Sequence, residues 1–95
     1  MRVQWTQRAE LDRLDIWQHV AADNPQAAER LDELFGHAAE RLSAHPRMGR
    51  PGRIAGTREL VVHESYRLVY ELDEAANTLL ILVVLHNARQ WPPMR

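Results

Sequence analysis

Cysteine and lysine are both absent from this chain of 95 residues. Without cysteine there can be no disulfide, no thiolate nucleophile and no cysteine-based zinc site. Without lysine there can be no Schiff-base chemistry and no phosphate-binding lysine of the P-loop kind. All twelve basic residues are arginines, which stay charged and do not act as proton carriers. These absences exclude several classes of enzyme.

Long apolar runs are also missing. No stretch approaches the roughly 20 apolar residues that a membrane-spanning helix needs, and the first residues lack the apolar core of a signal peptide. We therefore expect a cytoplasmic protein with no membrane partner. A chain of this length is expected to form a single domain, residues 1–95, with one core between two layers.

Charge is distributed unevenly, although the formal net charge is only −1. Residues 1–46 carry five arginines against eight carboxylates, whereas residues 47–70 carry five arginines against only Glu59 and Glu64. The first half is therefore acidic, and the start of the second half is basic.

Two helices are predicted in the first half, after a short strand indicated by alternating Val3 and Trp5. Thr6 can cap a helix over residues 8–22, and Asn24-Pro25 can start a second helix over residues 25–44. The side chains expected to face the core are Leu14, Trp17 and Ala21, with Ile16 and Val20 beside them, and then Leu31, Leu34, Phe35, Ala38 and Leu42.

Three strands are predicted in the second half, over residues 57–63, 67–72 and 78–86. The last strand is apolar on both faces, which indicates a central position in the sheet. The short turns between these strands predict an antiparallel meander. We therefore expect an α+β domain in the order β-α-α-β-β-β, with a helical hairpin packed on a small, mainly antiparallel, four-stranded sheet.

Basic side chains are concentrated in the segment that leads into this predicted sheet. Arg47, Arg50, Arg53 and Arg58 lie within twelve residues that contain no acid. They form either a phosphate-binding rim or a solvated connector. Arg58 and Arg67, on neighbouring strands, would stabilise a phosphate or phosphorane electrostatically, or else pair with nearby carboxylates.

Two further candidates lie at the end of the last strand. His86 could transfer protons near neutral pH, or it could be a half-buried residue hydrogen-bonded to a carbonyl. Trp91 could stack on a nucleobase or anchor the end of the chain, and we favour the anchor. Period-two geometry places Tyr66 and Tyr70 on one face of their strand and Arg67 on the other.

Three segments carry a resemblance to a known family: Gly56–Val62, Tyr66–Tyr70 and Leu85–Pro92. In this order they resemble the RelE/ParE superfamily of toxins from bacterial type II toxin–antitoxin systems. The resemblance implies neutralisation by a cognate antitoxin in a hetero-oligomer. It also implies one of two targets, DNA gyrase for ParE-like members or the ribosome and its mRNA for RelE-like members.

A RelE-like mechanism would make this chain a metal-independent endoribonuclease with no cofactor. The resemblance then implies that Arg67 contacts the phosphate, Arg58 adds charge, His86 transfers a proton and Arg89 is a further basic residue of the site. Arg47, Arg50, Arg53, Arg89 and Trp91 would contact the target.

Departures from the RelE pattern favour the ParE-like interpretation. The strand reads Arg58-Glu59-Leu60 where RelE has paired lysines, no tyrosine follows His86, and the isoelectric point is near 6.5. We therefore favour inhibition of gyrase, with the mRNA endonuclease as the alternative. A third interpretation is an antitoxin- and DNA-binding component of an autorepressor.

Overall fold

The structure is a computed structural model that describes residues 1–92. Two helices and five strands follow one another as β1 Arg2–Trp5, α1 Gln7–Ala21, α2 Pro25–Ala44, β2 Arg50–Pro51, β3 Thr57–His63, β4 Tyr66–Asp73 and β5 Thr78–His86. Both helices pack on a single sheet, so the predicted α+β class is confirmed.

The sheet has the strand order β1-β5-β4-β3-β2. Strands β2 to β5 pair antiparallel with their neighbours, and β1 pairs parallel with β5. The last strand therefore lies inside the sheet, as its continuous apolar sequence predicts. The parallel pair brings the beginning of the described chain against its last strand, with Val3 opposite Leu79.

The number of strands corrects the prediction of four. The extra strand, β2, lies inside the basic connector and pairs Arg50 with Glu59 and Pro51 with Arg58. Two residues are too few to show a period, and a proline is tolerated only at a sheet edge. The sequence pattern therefore gave no sign of this strand.

Capping residues define where both helices begin. The Thr6 hydroxyl accepts a hydrogen bond from the Ala9 N–H at 3.0 Å, and the Asn24 side chain accepts one from the Ala27 N–H at 3.1 Å. Each satisfies one of the N–H groups that a helix start leaves unpaired. Within residues 1–92, neither helix combines the length and the apolar character needed to cross a bilayer.

The side of α1 that faces the sheet differs from the prediction. Leu14 and Trp17 are 50% and 38% exposed, whereas Ile16 and Val20 pack against the core. The reason is a polar contact, since the Asp12 carboxylate accepts a hydrogen bond from the Val84 N–H at 3.0 Å. It satisfies part of the β5 edge beyond the end of β1 and fixes the rotation of the helix.

Packing differs between the two faces of the sheet. On the face under the helices, Phe35, Leu68 and Tyr70 belong to the main core. On the opposite face, Val69 and Val83 belong to a small separate cluster. We call these the helix face and the open face. Along β4, Tyr66 and Tyr70 share the helix face, as the period-two spacing predicts.

Candidate functional site

Arg67 lies on the open face and is only 8% exposed. Its Nε donates to Glu59 Oε1 at 2.9 Å, and its Nη1 and Nη2 donate to the carbonyls of His86 and Arg89 at 3.2 and 2.5 Å. Glu59 is as buried as Arg67, so each buried charge is compensated by the other. Arg67 therefore ties the segment after β5 back to β3 and β4.

Arg58 lies opposite Tyr70 in the register of β3 and β4. Its Nη1 donates to the carbonyl of Gly49 at 2.6 Å and to that of Arg47 at 3.3 Å. These carbonyls belong to the connector between α2 and β2. In this structure the Arg58 side chain therefore holds the connector.

Tyr70 also holds the connector between α2 and β2, from the core side. Its side chain is fully buried, and its hydroxyl donates to the Pro46 carbonyl at 2.8 Å and accepts from the Gly49 N–H at 2.9 Å. Burial raises the pKa of this hydroxyl, while the Gly49 hydrogen bond and the charge of Arg58 oppose the rise. A Cβ on Gly49 would lie 2.7 Å from the hydroxyl oxygen, so this position needs glycine.

A row of three aromatic side chains crosses the end of the sheet. Tyr66 lies opposite His63 on one neighbouring strand and opposite His86 on the other. The ring centroids are 6.2 Å apart for the first pair and 5.4 Å for the second. Nδ1 of His63 accepts from the Ser65 N–H at 3.0 Å, and Nδ1 of His86 accepts from the Ala88 N–H at 3.1 Å. Two identical local bonds therefore fix both rings.

The three residues expected to form a nuclease site do not converge. The side chain of Arg67 lies on the open face, whereas the His86 ring packs against Tyr66 on the helix face. Arg58 lies opposite Tyr70 in the strand register. Tyr70 is four residues along β4 from Tyr66, so about 13 Å of strand separates the position of Arg58 from that of the His86 ring. One phosphate group cannot contact all three side chains in this arrangement.

A cavity of about 740 Å³ opens beside the aromatic row, between the helices and the end of the sheet. We call it the histidine cavity, because four of the five histidines of the chain line it: His19, His37, His63 and His86. Apolar side chains of Val20, Leu31 and Leu34 also line it, together with Ala27, Arg30, Glu33, Ser65 and Tyr66. The four histidines come from α1, α2, β3 and β5, so their meeting depends on the fold.

These histidines do not form a metal centre. Within residues 1–92, no three His, Asp or Glu side chains are grouped as metal ligands would be. The pairing of His63 with His86 across Tyr66 could have been found from the sequence, because both predicted strands end at these residues. The approach of His19 and His37 could not, since it depends on how the helices lie on the sheet.

A second cavity, of about 430 Å³, lies on the open face. Arg50, Arg53 and Trp91 line it together with the Arg67–Glu59 pair. Trp91 packs on the apolar cluster of that face, and its buried Nε1 has no hydrogen-bond partner within residues 1–92.

The other predicted target-binding arginines differ in their contacts. Arg47 forms an ion pair with Glu74, and Arg53 donates to Gln90 at 3.0 Å. No ion pair or side-chain hydrogen bond of Arg50 or Arg89 is found among the described residues. Arg50 and Arg89 are also exposed, so among the predicted target-binding arginines they are the most available to a partner.

Comparison with known proteins gives consistent matches over nearly the whole chain. Residues 3–91 match the family model described as the ParE toxin of the type II toxin–antitoxin system parDE. A Sinorhizobium fredii protein with the provisional name toxin Y4kP is 42% identical over 93 residues, which cover 96% of this chain and 93% of the relative.

Solved structures show the same fold. A chain of the chromosomal ParDE system from P. aeruginosa has a TM-score of 0.77 at 22% identity, covering 90% of this chain and 95% of that one. A chain of the RelBE2 toxin–antitoxin complex from Mycobacterium tuberculosis has a TM-score of 0.64 at 30% identity, covering 90% and 96%. The E. coli RelE toxin has a TM-score of 0.57 at 16% identity, covering 95% and 87%.

Proposed function

The chain belongs to the ParE toxin family of type II toxin–antitoxin systems, and we propose that it arrests bacterial growth by binding and inhibiting DNA gyrase in the cytoplasm. A cognate antitoxin would neutralise it in a hetero-oligomer. In this proposal the toxin carries out no chemistry of its own, so it needs an exposed surface for a protein target.

One observation carries the choice of target. Cleavage of RNA by its own 2′-hydroxyl needs proton-transfer groups and positive charge around a single phosphate. Arg67, the expected phosphate contact, is buried, paired with Glu59 and separated by the sheet from the His86 ring. Its charge is already neutralised within the protein, which favours a toxin that acts through binding.

Exposed apolar residues on α1 support action on a protein. Leu11, Leu14 and Trp17 are 49%, 50% and 38% exposed and recur every three residues along the helix. Large apolar side chains grouped on a surface are typical of sites that bind other proteins. The surface of α1 is therefore a candidate contact for gyrase or for the antitoxin.

The second candidate function is a RelE-like, ribosome-dependent mRNA endonuclease. It is favoured by the cavity on the open face, where Arg50 and Arg53 could contact phosphates and Trp91 could stack on a base. In that case the cleavage would use groups other than a converged set of Arg58, Arg67 and His86.

Two parallel assays distinguish the candidates. Purified toxin is added to a gyrase supercoiling reaction and to translating ribosomes whose mRNA is then mapped by primer extension. We expect loss of supercoiling with intact mRNA, and we expect His86→Ala to inhibit gyrase as well as the wild type does. Cuts in the ribosomal A site, with supercoiling unaffected, would show that the proposed target is wrong, and the His86→Ala variant would then show whether the cleavage uses His86.

A further inference from the structure

Three large apolar side chains lie together on the outward side of α1. Leu11, Leu14 and Trp17 are 49%, 50% and 38% exposed and follow one another at intervals of three residues. We call them the α1 stripe, which extends along about 9 Å of the helix. Glu10 and Gln18, each four residues from Leu14, are exposed beside it. Apolar groups exposed side by side are stabilised when a partner covers them.

The second helix has no equivalent of this stripe. In α2, all of which the structure describes, Leu34 is the one exposed large apolar side chain, at 41%. Most of the other exposed side chains of α2 are charged, namely Glu29, Arg30, Glu33, Glu40 and Arg41. The two helices form one hairpin, yet only α1 presents an apolar surface to a partner.

The spacing of the α1 stripe suits a second copy of the same stripe. In a two-fold symmetric pair both copies use the same surface, so each contact occurs twice. With the axis at Leu14, two antiparallel α1 helices place Leu14 against Leu14. Trp17 of each copy then comes to the level of Leu11 of the other, because both are three residues from the axis. The whole stripe therefore lies in the interface.

The charges of α1 agree with an axis at Leu14. Glu10 comes to the level of Gln18 of the other copy, whose amide can donate to the carboxylate. No two like charges of α1 share a level in this arrangement. An axis shifted so that Leu11 faces Leu14 would instead bring Glu10 to the level of Asp15, and two carboxylates would repel each other. The charge pattern therefore selects the axis at Leu14.

A cavity of about 300 Å³ lies beside the stripe, and its lining consists of Glu10, Arg13, Leu14, Trp17 and Asp32. At 100° per residue, Glu10, Arg13 and Trp17 all lie on the same side of Leu14 around the helix. A two-fold axis across the antiparallel helices keeps that side in common. Trp17 of each copy therefore lies over Glu10 and Arg13 of the other, where this cavity opens.

We propose that the toxin forms a two-fold symmetric dimer through α1, with Leu14 on the axis and Trp17 of each copy in the cavity beside Leu14 of the other. The inference does not depend on the target of the toxin. The exposed parts of three side chains are small beside the roughly 800 Å² that each partner buries in a stable complex. We therefore expect a weak dimer, with a dissociation constant between about 1 µM and 1 mM.

Opposite charges placed on the axis test this geometry. Leu14→Glu and Leu14→Arg each bring two like charges face to face, so either variant alone should remain a monomer. An equimolar mixture of the two should dimerise, because residue 14 of one copy meets residue 14 of the other. Sedimentation velocity from about 1 µM to 1 mM measures this. The mass of the wild type and of the mixture should rise from 11.0 kDa toward twice that value.

Leu34 supplies a matched control, since it is a leucine of similar exposure on the other helix. Leu34→Arg should dimerise within about twofold of the wild-type affinity. Trp17→Ala should weaken the dimer about tenfold, because it removes the side chain that enters the cavity. Circular dichroism should show that every variant is folded.

Three results would overturn the inference. The first is a wild-type toxin that keeps the mass of one chain over the whole concentration range. The second is a wild type that dimerises while the mixture of Leu14→Glu and Leu14→Arg does not, since Leu14 would then not lie on the axis. The third is a monomeric wild type whose inhibition of gyrase is lost in both Leu14 variants, because gyrase would then be the partner of the stripe. None of these results affects the supercoiling assay of the wild type, which tests the proposed function separately.

Discussion

Each face of the sheet contains one buried polar side chain on β4, Tyr70 under the helices and Arg67 on the open face. Both attach a segment outside the sheet through its backbone. The Tyr70 hydroxyl bonds to Pro46 and Gly49 in the connector, and the Arg67 guanidinium donates to the carbonyls of His86, where β5 ends, and of Arg89, beyond it. The two residues perform the same task with different chemistry.

Their surroundings differ because their charges differ. A neutral hydroxyl can be buried once its donor and acceptor are both satisfied, as they are for Tyr70. A buried guanidinium also needs a counter-charge, which Glu59 supplies at 2.9 Å. A buried arginine in a toxin of this family can therefore be structural, and its position in a motif does not by itself make it part of a site.

Breaking the Arg67–Glu59 pair should have the largest effect. Arg67→Met leaves Glu59 as an unpaired charge that is about 10% exposed, so we expect the free energy of unfolding to fall by about 3–5 kcal/mol. Urea denaturation measures this change. The double variant Arg67→Met/Glu59→Leu should recover most of the loss, because no charge is then left buried. A double variant as unstable as Arg67→Met would show that the pair is not what limits stability.

Removing the Tyr70 hydroxyl should have an intermediate effect. Tyr70→Phe keeps the ring in the core but leaves the Gly49 N–H and the Pro46 carbonyl without this partner, which should cost about 1–3 kcal/mol of unfolding free energy. Tyr66→Phe is the matched control, because no hydrogen bond of the Tyr66 hydroxyl is found within residues 1–92. Equal losses in the two variants would contradict the structural role of the Tyr70 hydroxyl.

The same hydroxyl should make stability depend on alkaline pH. Its pKa in the folded protein is raised above the usual 10.0, so the folded state holds the proton more tightly than the unfolded state. Its contribution is complete below about pH 10 and decreases as the pH rises through the folded pKa. Denaturation at several pH values should show this decrease in the wild type and a shallower one in Tyr70→Phe. The absence of lysine and cysteine leaves few other groups to titrate in this range.

Arg58 and Arg50 should show the smallest effects and differ from each other. Arg58→Ala removes the bonds to the Arg47 and Gly49 carbonyls and should lower stability by about 1 kcal/mol. Arg50→Ala removes an exposed side chain without a described partner and should change stability by less than about 0.5 kcal/mol. Thermal denaturation of both variants makes the comparison. A larger loss for Arg50→Ala would mean that the connector is held differently.

Local signals predicted most of the fold. Asn24-Pro25 and His45-Pro46 bound α2, and the predicted range of residues 25–44 agrees with the structure. The strands β3 and β5 also have their predicted bounds. These elements are specified by neighbouring residues, through a cap, a proline or a turn. Such signals need no knowledge of the rest of the fold.

Features that depend on distant contacts were not predictable. Leu14 and Trp17 form a second apolar stripe on α1, and tertiary contacts such as the Asp12 hydrogen bond to β5 decide which stripe is buried. The candidate site is a similar case, since the partner of Arg67 could have been any of three glutamates. Register decides that Glu59 is the partner.

The parallel pairing of β1 with β5 has a consequence for synthesis in the cell. β1 leaves the ribosome before its partner β5, which is made more than 70 residues later. At about 5–20 residues per second, translation leaves an interval of several seconds in which the sheet cannot be completed. During that interval the nascent chain lacks β5, an inner strand of the sheet, and with it the His86 end of the aromatic row. A toxin built in this order cannot complete its sheet before β5 has been translated.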